Sequence, residues 1–369
     1  MKRRFRVGIV GLNAAGGWAG PAHLPALRAL SDDFELVGVA NTSLASAEAA
    51  ASAFGLPRAF ENVAQLVASP DIDVVVVTVK VPHHREVVTA ALQAGKNIYC
   101  EWPLANGLAE AEAIAKLAAD KKSLVVVGTQ AVVSPEVEFV RKLVADGYVG
   151  EVLSSTYISS GVTWGEEISA GDAYAMDSQN GVTLLSVIGG HALAGLQWVL
   201  GPISDVAAIL SQRRQTVRMA QTGESIPMKS ADQVLISALL RSGAPLSFQL
   251  RGGIPRGTKL LWEINGSKGD LRITARFETM PVINISPLRV EGAQKNDADY
   301  SEFDIPSSDN LALEDAPIAR NVAHIYRLMA NDLQNGTRSA PGIEAAVSLH
   351  RTLSAIEESA STGRRVSVG

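Results

Sequence analysis

With 369 residues, 47% apolar and 19% charged, the chain carries enough apolar surface for two domains with separate cores. A formal net charge of −5, with no Lys/Arg cluster beyond the first few residues, offers no polyanion track and argues against a nucleic-acid partner. The single cysteine, Cys100, excludes an intrachain disulfide and suits a reducing cytoplasm.

The opening Met1-Lys2-Arg3-Arg4-Phe5-Arg6 has the charge of a signal-peptide n-region. However, the apolar stretch from Val7 to Leu12 is short and interrupted by Gly8 and Gly11, so it reads as a strand entering a turn. No apolar run approaches the roughly 18 residues of a bilayer span, and a soluble chain with no membrane partner is expected.

The first third alternates short β-branched runs with amphipathic stretches, as in a parallel sheet whose crossovers are helices. Strands are expected at Arg6–Gly11, Phe34–Ala40, Val74–Val77, Asn97–Cys100 and Leu124–Val127. Helices are expected at His23–Ser31, Ser43–Phe54, Glu61–Ala68, Arg85–Ala94 and Leu108–Lys121. The valine run suits a strand buried on both faces, and Gly95 stands where a helix C′ glycine would. A doubly wound domain over residues 1–128 follows.

Residues 129–369 have a different texture. After a helix at Pro135–Asp146 come alternating strand-like runs at Glu151–Ser160, Val206–Gln212, Asp232–Leu240, Pro245–Arg251, Thr258–Ile264 and Asp270–Phe277. They imply a second α/β domain with a large, mostly antiparallel open sheet, one face of which meets solvent or a partner. Gly181–Leu200 is expected as an apolar helix, Gly292 to Asp315 as a polar surface excursion, and Ile318–Asn335 and Pro341–Thr362 as closing helices. The broad apolar sheet face predicts a homodimer or homotetramer in closed symmetry.

Gly8, Gly11, Gly16, Gly17 and Gly20 fall between the first strand and the helix carrying His23. Such a turn lets backbone N–H groups and a helix N-terminus approach a pyrophosphate, because no Cβ blocks the way. Asn13 occupies the second glycine position of G-x-G-x-x-G, and the loop is about four residues longer than that fingerprint. A structural loop also uses glycines. The strand before it, the helix after it and the repeated alternation favour a dinucleotide site at Gly11, Leu12, Asn13 and Gly16.

An acidic side chain ending the second strand takes the ribose hydroxyls of NAD, whereas neutral or basic groups tolerate a 2′-phosphate. Here the strand ends Val39-Ala40-Asn41-Thr42-Ser43, and the next arginine is Arg58. NADP, or dual use with NAD, is therefore favoured, with Asn41, Thr42 and Ser43 at the ribose. Asn41→Asp is expected to move preference toward NAD(H).

Further motifs are Ala91-Leu92-Gln93-Ala94-Gly95-Lys96 leading into Glu101-Trp102-Pro103-Leu104-Ala105, the Gly190-His191 segment, and Gly266-Ser267-Lys268-Gly269. With the glycine turn they make nearly the whole chain resemble the glucose-fructose oxidoreductase, inositol dehydrogenase and MocA family of sugar and polyol dehydrogenases. The lengthened first turn with Trp18 and His23, Trp102 after Glu101, Gly147-Tyr148-Val149-Gly150, Asn180-Gly181-Val182 and Arg251-Gly252-Gly253 resemble its galactose-regulon repressor-like branch. The family implies an N-terminal Rossmann domain and an α/β substrate domain whose open sheet often meets a subunit partner. The branch implies a nicotinamide-dinucleotide-binding protein that acts on a regulatory protein partner.

Catalytic members of the family use a lysine in Glu-Lys-Pro, and an aspartate four residues before a histidine, to position and deprotonate the alcohol. In this chain those positions are Trp102 and Val187, while His191 is retained. His191 is thus either the proton acceptor beside the nicotinamide or a buried histidine packed in an apolar helix. Lys80, where the family usually has proline, either supplies the missing ammonium from a neighbouring strand or is a solvated loop lysine. By the resemblance, Trp18, Thr78, His84, Glu101 and Trp102 join the cofactor site, with His84 fixing its loop and His83 unsupported; Lys80 joins it by its place at the carboxyl end of the sheet. Gln130, Trp164, Tyr174, Trp102 and His191 are the candidate substrate contacts, although any of the tryptophans also suits a core. No His/Cys/Asp cluster has metal-ligand spacing. Two functions follow: an NAD(P)-dependent oxidoreductase of a carbohydrate or polyol, or a catalytically silent dinucleotide-binding sensor.

Overall fold

The structure is a computed structural model that describes residues 3–305 and 311–369. Its chain groups into two units, Met1–Thr129 with Asp309–Ser348, and Gln130–Ser308 with Leu349–Gly369.

In the first unit the order is β1 (Phe5–Val10), α1 (Ala19–Ala29), β2 (Phe34–Ala40), α2 (Leu44–Phe54), β3 (Arg58–Phe60), α3 (Val63–Ala68), β4 (Val74–Val77), α4 (His84–Gln93), β5 (Asn97–Glu101), α5 (Leu108–Ala119) and β6 (Val125–Gly128). The six strands are parallel in the order β3-β2-β1-β4-β5-β6. This doubly wound arrangement reverses direction between β1 and β4 and opens a crevice at the carboxyl ends there. All of Val74–Val77 is fully buried, so both faces of the sheet are covered at β4 and a run of valines satisfies both. Ser43 caps α2 by accepting from Ser46 N, and Asn62 caps α3 by accepting from Gln65 N. Both are small polar residues that meet an otherwise orphaned helix donor.

From Gln130 onward come α6 (Pro135–Ala145), β7 (Val152–Gly161), β8 (Glu167–Ile168), α7 (Gly190–Leu200), β9 (Ile203–Ser211), β10 (Thr216–Met219), β11 (Ser225–Pro227), β12 (Gln233–Leu240), β13 (Pro245–Gly252), β14 (Leu261–Gly266), β15 (Gly269–Ala275), β16 (Leu288–Gln294), β17 (Ser301–Glu302), α8 (Arg320–Asn335), α9 (Ile343–Thr362) and β18 (Val366–Ser367). The second unit's main sheet has the order β17-β16-β15-β14-β7-β13-β12-β9-β18. Only the β7–β13 pair in it is parallel among the described residues. A small sheet, β11-β10-β8, stands apart.

Along β12 and β13 burial alternates with the strand period. Val234, Ile236, Ala238, Leu246, Phe248 and Leu250 are buried, whereas Leu235, Ser237 and Ser247 are open. On the open face Leu235, 47% exposed, pairs with Ile209, 61% exposed.

Several boundaries differ from the sequence reading. α1 begins at Ala19, before Pro21 rather than after it; a proline in the first turn loses no intrahelical donor. The three-residue β3 has no periodicity to betray it. The expected excursion from Gly292 to Asp315 contains the end of β16 and all of β17, which pair with each other, and residues 306–310 lie outside the described residues. Gly181–Leu200 is not one regular helix: a π-helical turn at Leu185–Gly189 precedes α7. The helical stretch Ser178–Leu200 has the length and mean hydropathy, 1.4, to cross a membrane, but it is 67% buried, as the core helix of a globular unit is. Finally, the sequence places all of 129–369 in the second domain, whereas α8 packs against α1 and groups with the first unit.

Candidate functional site

The first unit gathers most candidates at one edge. Val10 pairs with Ala40 and with Val77, and Val77 with Cys100, so β1, β2, β4 and β5 end together. Immediately after β1, Gly11 has φ +105° and passes so close to the end of β4 that a Cβ would lie 2.7 Å from Val79 N and 2.8 Å from the Thr78 carbonyl carbon. Leu12 is buried behind it. Asn13 then turns the chain, its Oδ1 accepting from Ala15 N at 3.0 Å. Gly16 and Gly17 follow at φ +143° and +101°, with open space where side chains would be. Trp18 leads into α1, and its indole Nε1 is buried with no hydrogen-bond partner among the described residues. The first turn of α1 has no acidic residue, which leaves its positive end uncompensated.

Asn41 braces this turn. Its Nδ2 donates to the Leu12 carbonyl at 2.8 Å and to the Ser46 carbonyl at 3.0 Å, while its buried Oδ1 meets no donor among the described residues. Thr42 and Ser43 continue to the N-terminus of α2. The Thr78 hydroxyl donates to the Val10 carbonyl at 3.0 Å and so locks β4 to β1. Lys80 is exposed beyond β4.

His84 is buried, with Nδ1 2.8 Å from the Pro103 carbonyl oxygen and Nε2 2.9 Å from that of Val79. Burial pushes its imidazole below the usual range, and the two carbonyls pull the other way. The ring is placed as a clamp between two strand ends. Trp102, buried, forms a cis peptide bond with Pro103.

Glu101 belongs to a buried chain that sequence reasoning did not find. His23 Nε2 lies 3.0 Å from Glu101 Oε1, and His23 Nδ1 lies 2.7 Å from the Tyr326 hydroxyl. Burial, and secondarily the Glu101 charge, push the Tyr326 hydroxyl well above the usual range. A carboxylate only accepts, so His23 Nε2 carries the hydrogen that faces Glu101, and in a neutral ring Nδ1 then accepts from the Tyr326 hydroxyl. Separations of 78 and 303 residues leave no spacing signal to read.

In the second unit His191 is buried as the second residue of α7, just after the π-helical turn that contains Val187. Single π turns inside helices recur at functional sites. Gln130 is buried on a short helical turn, Gln130–Val133, that packs beside α7, where Ala131 approaches Gly195. Trp164 is buried after β7 against the Leu184–Ile188 region, because Gly161 leaves room for all three. Tyr174 is partly buried, its hydroxyl pushed up by burial and by Asp172, and its carbonyl accepts from Asn180 Nδ2. Among the described residues no group of three or more His, Cys, Asp or Glu is placed to hold a metal ion.

These features can be set beside known proteins. Residues 5–129 match the oxidoreductase family with an NAD-binding Rossmann fold, and residues 135–275 match the Gal80p C-terminal domain. The dehydrogenase aclE of Aspergillus oryzae is 31% identical over 74% of this chain and 77% of its own. The galactose/lactose metabolism regulatory protein GAL80 of Saccharomyces cerevisiae is 30% identical over 79% of this chain and 72% of its own. A super-repressor mutant of the latter superposes with a TM-score of 0.89, at 25% identity, over 99% of this chain and 98% of that one. A levoglucosan dehydrogenase in complex with NADH and levoglucosan gives 0.81, at 22% identity, over 100% of both chains. With its parallel sheet, its glycine turn and these relatives, the chain belongs to the glucose-fructose oxidoreductase, inositol dehydrogenase and MocA family of NAD-binding Rossmann-fold oxidoreductases, near its Gal80-like branch.

Proposed function

We propose that the protein is a nicotinamide-dependent oxidoreductase of a carbinol group in a sugar, glycoside or cyclic polyol, with His191 as the proton acceptor. The observation that carries this reading is the turn after β1, where Gly11 packs so closely on the end of β4 that no Cβ fits and Gly16 and Gly17 leave open space where side chains would be, just before the N-terminus of α1. The residues fit a dinucleotide. Gly11, Leu12, Asn13, Gly16, Trp18 and the N-terminus of α1 would hold the pyrophosphate. Asn41, Thr42 and Ser43 would hold the adenosine ribose, and Thr78, Lys80, His84, Glu101 and Trp102 would flank the nicotinamide. When bound, the dinucleotide supplies the hydride acceptor. Losing hydride from an alcohol carbon also requires a base for the hydroxyl proton, and imidazole titrates near neutral pH. Lys80 is assigned as a supporting cation. Gln130, Trp164, Tyr174 and Trp102 are assigned to the substrate, since aromatic faces and amides suit a polyhydroxylated ring. Cys100 is a buried free thiol, compatible with a cytoplasmic protein. The test is a panel of sugars, glycosides and inositols with NAD⁺ or NADP⁺, read as absorbance of the reduced nicotinamide.

A second reading is favoured by the match of residues 135–275 to the Gal80p C-terminal domain and by Trp102 and Val187 standing at two catalytic positions. In it the protein is a dinucleotide-binding sensor that acts through a regulatory protein. Clear dinucleotide binding with no turnover across the panel is its expected signature.

For the cofactor, we infer that NADP(H) binds at least as tightly as NAD(H), because no carboxylate ends β2 and a 2′-phosphate would meet hydroxyls near the start of α2. The hydrogen bonds of Asn41 change what Asn41→Asp should do. A carboxylate cannot donate to the Leu12 and Ser46 carbonyls that Nδ2 now serves, so the turn loses its brace as the ribose gains an acceptor. The expected outcome in a tryptophan-fluorescence titration is about tenfold weaker NADPH binding, at about 0.5–1.5 kcal/mol per lost bond, and little gain for NADH. Tight NADH binding with a clean switch would show that the brace is dispensable.

For assembly, the open face of the second unit's sheet, with Ile209 and Leu235 paired on it, is assigned to a homodimer or homotetramer interface. Light scattering at micromolar concentration should give the oligomer, and Leu235→Lys should shift it toward monomer. A monomeric wild-type protein would overturn the assignment.

A further inference from the structure

We propose that His23 and Tyr326 are positioning residues of the dinucleotide site: through a buried hydrogen-bonded chain they fix the Glu101 carboxylate at the carboxyl edge of the first sheet and tie it to α1. The proposal rests on the dinucleotide reading above.

His23 and Tyr326 are fully buried and Glu101 is 8% exposed. A carboxylate taken out of water is costly unless donors reach it, so the donor that reaches it also dictates where it points. One such donor is His23 Nε2–H, and the ring is itself aimed, because its Nδ1 lies 2.7 Å from the Tyr326 hydroxyl. Tyr326 is in turn held by rings. It stacks on Tyr99 with centroids 4.7 Å apart and meets Phe34 edge-on at 5.4 Å.

The geometry links parts of the site that are distant in sequence. His23 lies on α1, whose N-terminus follows the glycine turn, and Glu101 is the last residue of β5, which ends level with β1 and β4. Locking one to the other sets the pyrophosphate end and the strand-end carboxylate in a fixed relation. A nicotinamide riboside offers hydroxyl and carboxamide N–H donors to a carboxylate so placed. Pre-organisation of this kind strengthens binding by removing an ordering cost.

The test titrates NADH and NADPH into the full-length wild type, Tyr326→Phe, His23→Leu and His23→Gln, with unliganded thermal denaturation as the folding control. Tyr326→Phe, which removes one oxygen and keeps the ring packing, should weaken binding about 3- to 10-fold, the range of one buried hydrogen bond. His23→Leu should weaken it at least about tenfold, and His23→Gln, whose amide still donates toward Glu101, should return to within about threefold of wild type. That rescue separates positioning from packing, because leucine fills space as well as glutamine does. Should His23→Leu fail to fold, Tyr326→Phe and His23→Gln carry the comparison. Folded Tyr326→Phe and His23→Leu proteins with wild-type affinity overturn the proposal, as does a glutamine variant no better than leucine. A wild type that binds neither dinucleotide overturns the cofactor reading itself.

Discussion

Gly11→Ala is expected to abolish measurable dinucleotide binding and to lower the thermal stability of the first unit. A Cβ at φ +105° would meet Val79 N at 2.7 Å, the Thr78 carbonyl carbon at 2.8 Å and its oxygen at 2.9 Å. All three are backbone atoms at the end of a core strand, which cannot swing aside as a long side chain can. The backbone conformation alone costs about 1–2 kcal/mol, and forcing the strands apart adds about 1–3 kcal/mol. At about 2–4 °C per kcal/mol for a unit of this size, the melting transition should fall by roughly 4–20 °C. Gly55→Ala, at the C-terminal end of α2, is the control, since its φ of +65° strains an alanine while its Cβ would meet nothing within 4 Å; it should lose the backbone term alone and leave dinucleotide binding intact. A Gly11→Ala protein that melts and binds like wild type would remove the turn from the cofactor site.

His191→Ala should lower kcat by about 10²- to 10⁴-fold on whichever substrate the panel identifies, the usual contribution of a general base, with dinucleotide affinity nearly unchanged. Lys80→Ala belongs in the same experiment. A comparable loss would mean that a lysine beyond β4 has taken over from the one missing at Trp102. Trp102→Lys is not expected to restore activity alone, because Trp102 is buried and an ammonium there would be taken out of water. Full turnover by His191→Ala would refute its assignment as the base.

The parts of the molecule that were legible in the sequence are those whose signal is local. β2 runs from Phe34 to Ala40 and β4 from Val74 to Val77 as their β-branched composition requires, and the glycine turn lies between β1 and α1 where its backbone demands place it. The parts that were not legible depend on partners far along the chain. β3 is three residues long and exists because β2 offers it an edge; Gly38 is what admits it, since a Cβ would collide with the Arg58 carbonyl. Asn41 looked like a neutral replacement for an acid, but its amide proved to be a brace for Leu12. Among candidate site residues the sequence pointed to His84 and Glu101, while the ring that holds Glu101 was one of six histidines with nothing to single out its partner. The π-helical turn before His191 is equally silent, because its apolar residues satisfy an α-helical pattern too.

The return of α8 to the first unit has a consequence for how the chain is made. Tyr326 covers Tyr99, Phe34 and His23, yet it leaves the ribosome long after them, with the entire Gln130–Ser308 segment translated in between. At about 5–20 residues per second, that interval is roughly 10–40 s. Until then the side chain that packs on Tyr99, Phe34 and His23 does not exist, so the first unit cannot complete its packing before the inserted unit has been synthesised. The unit that is begun first is thus the one completed last, and its closure waits on the arrival of one tyrosine.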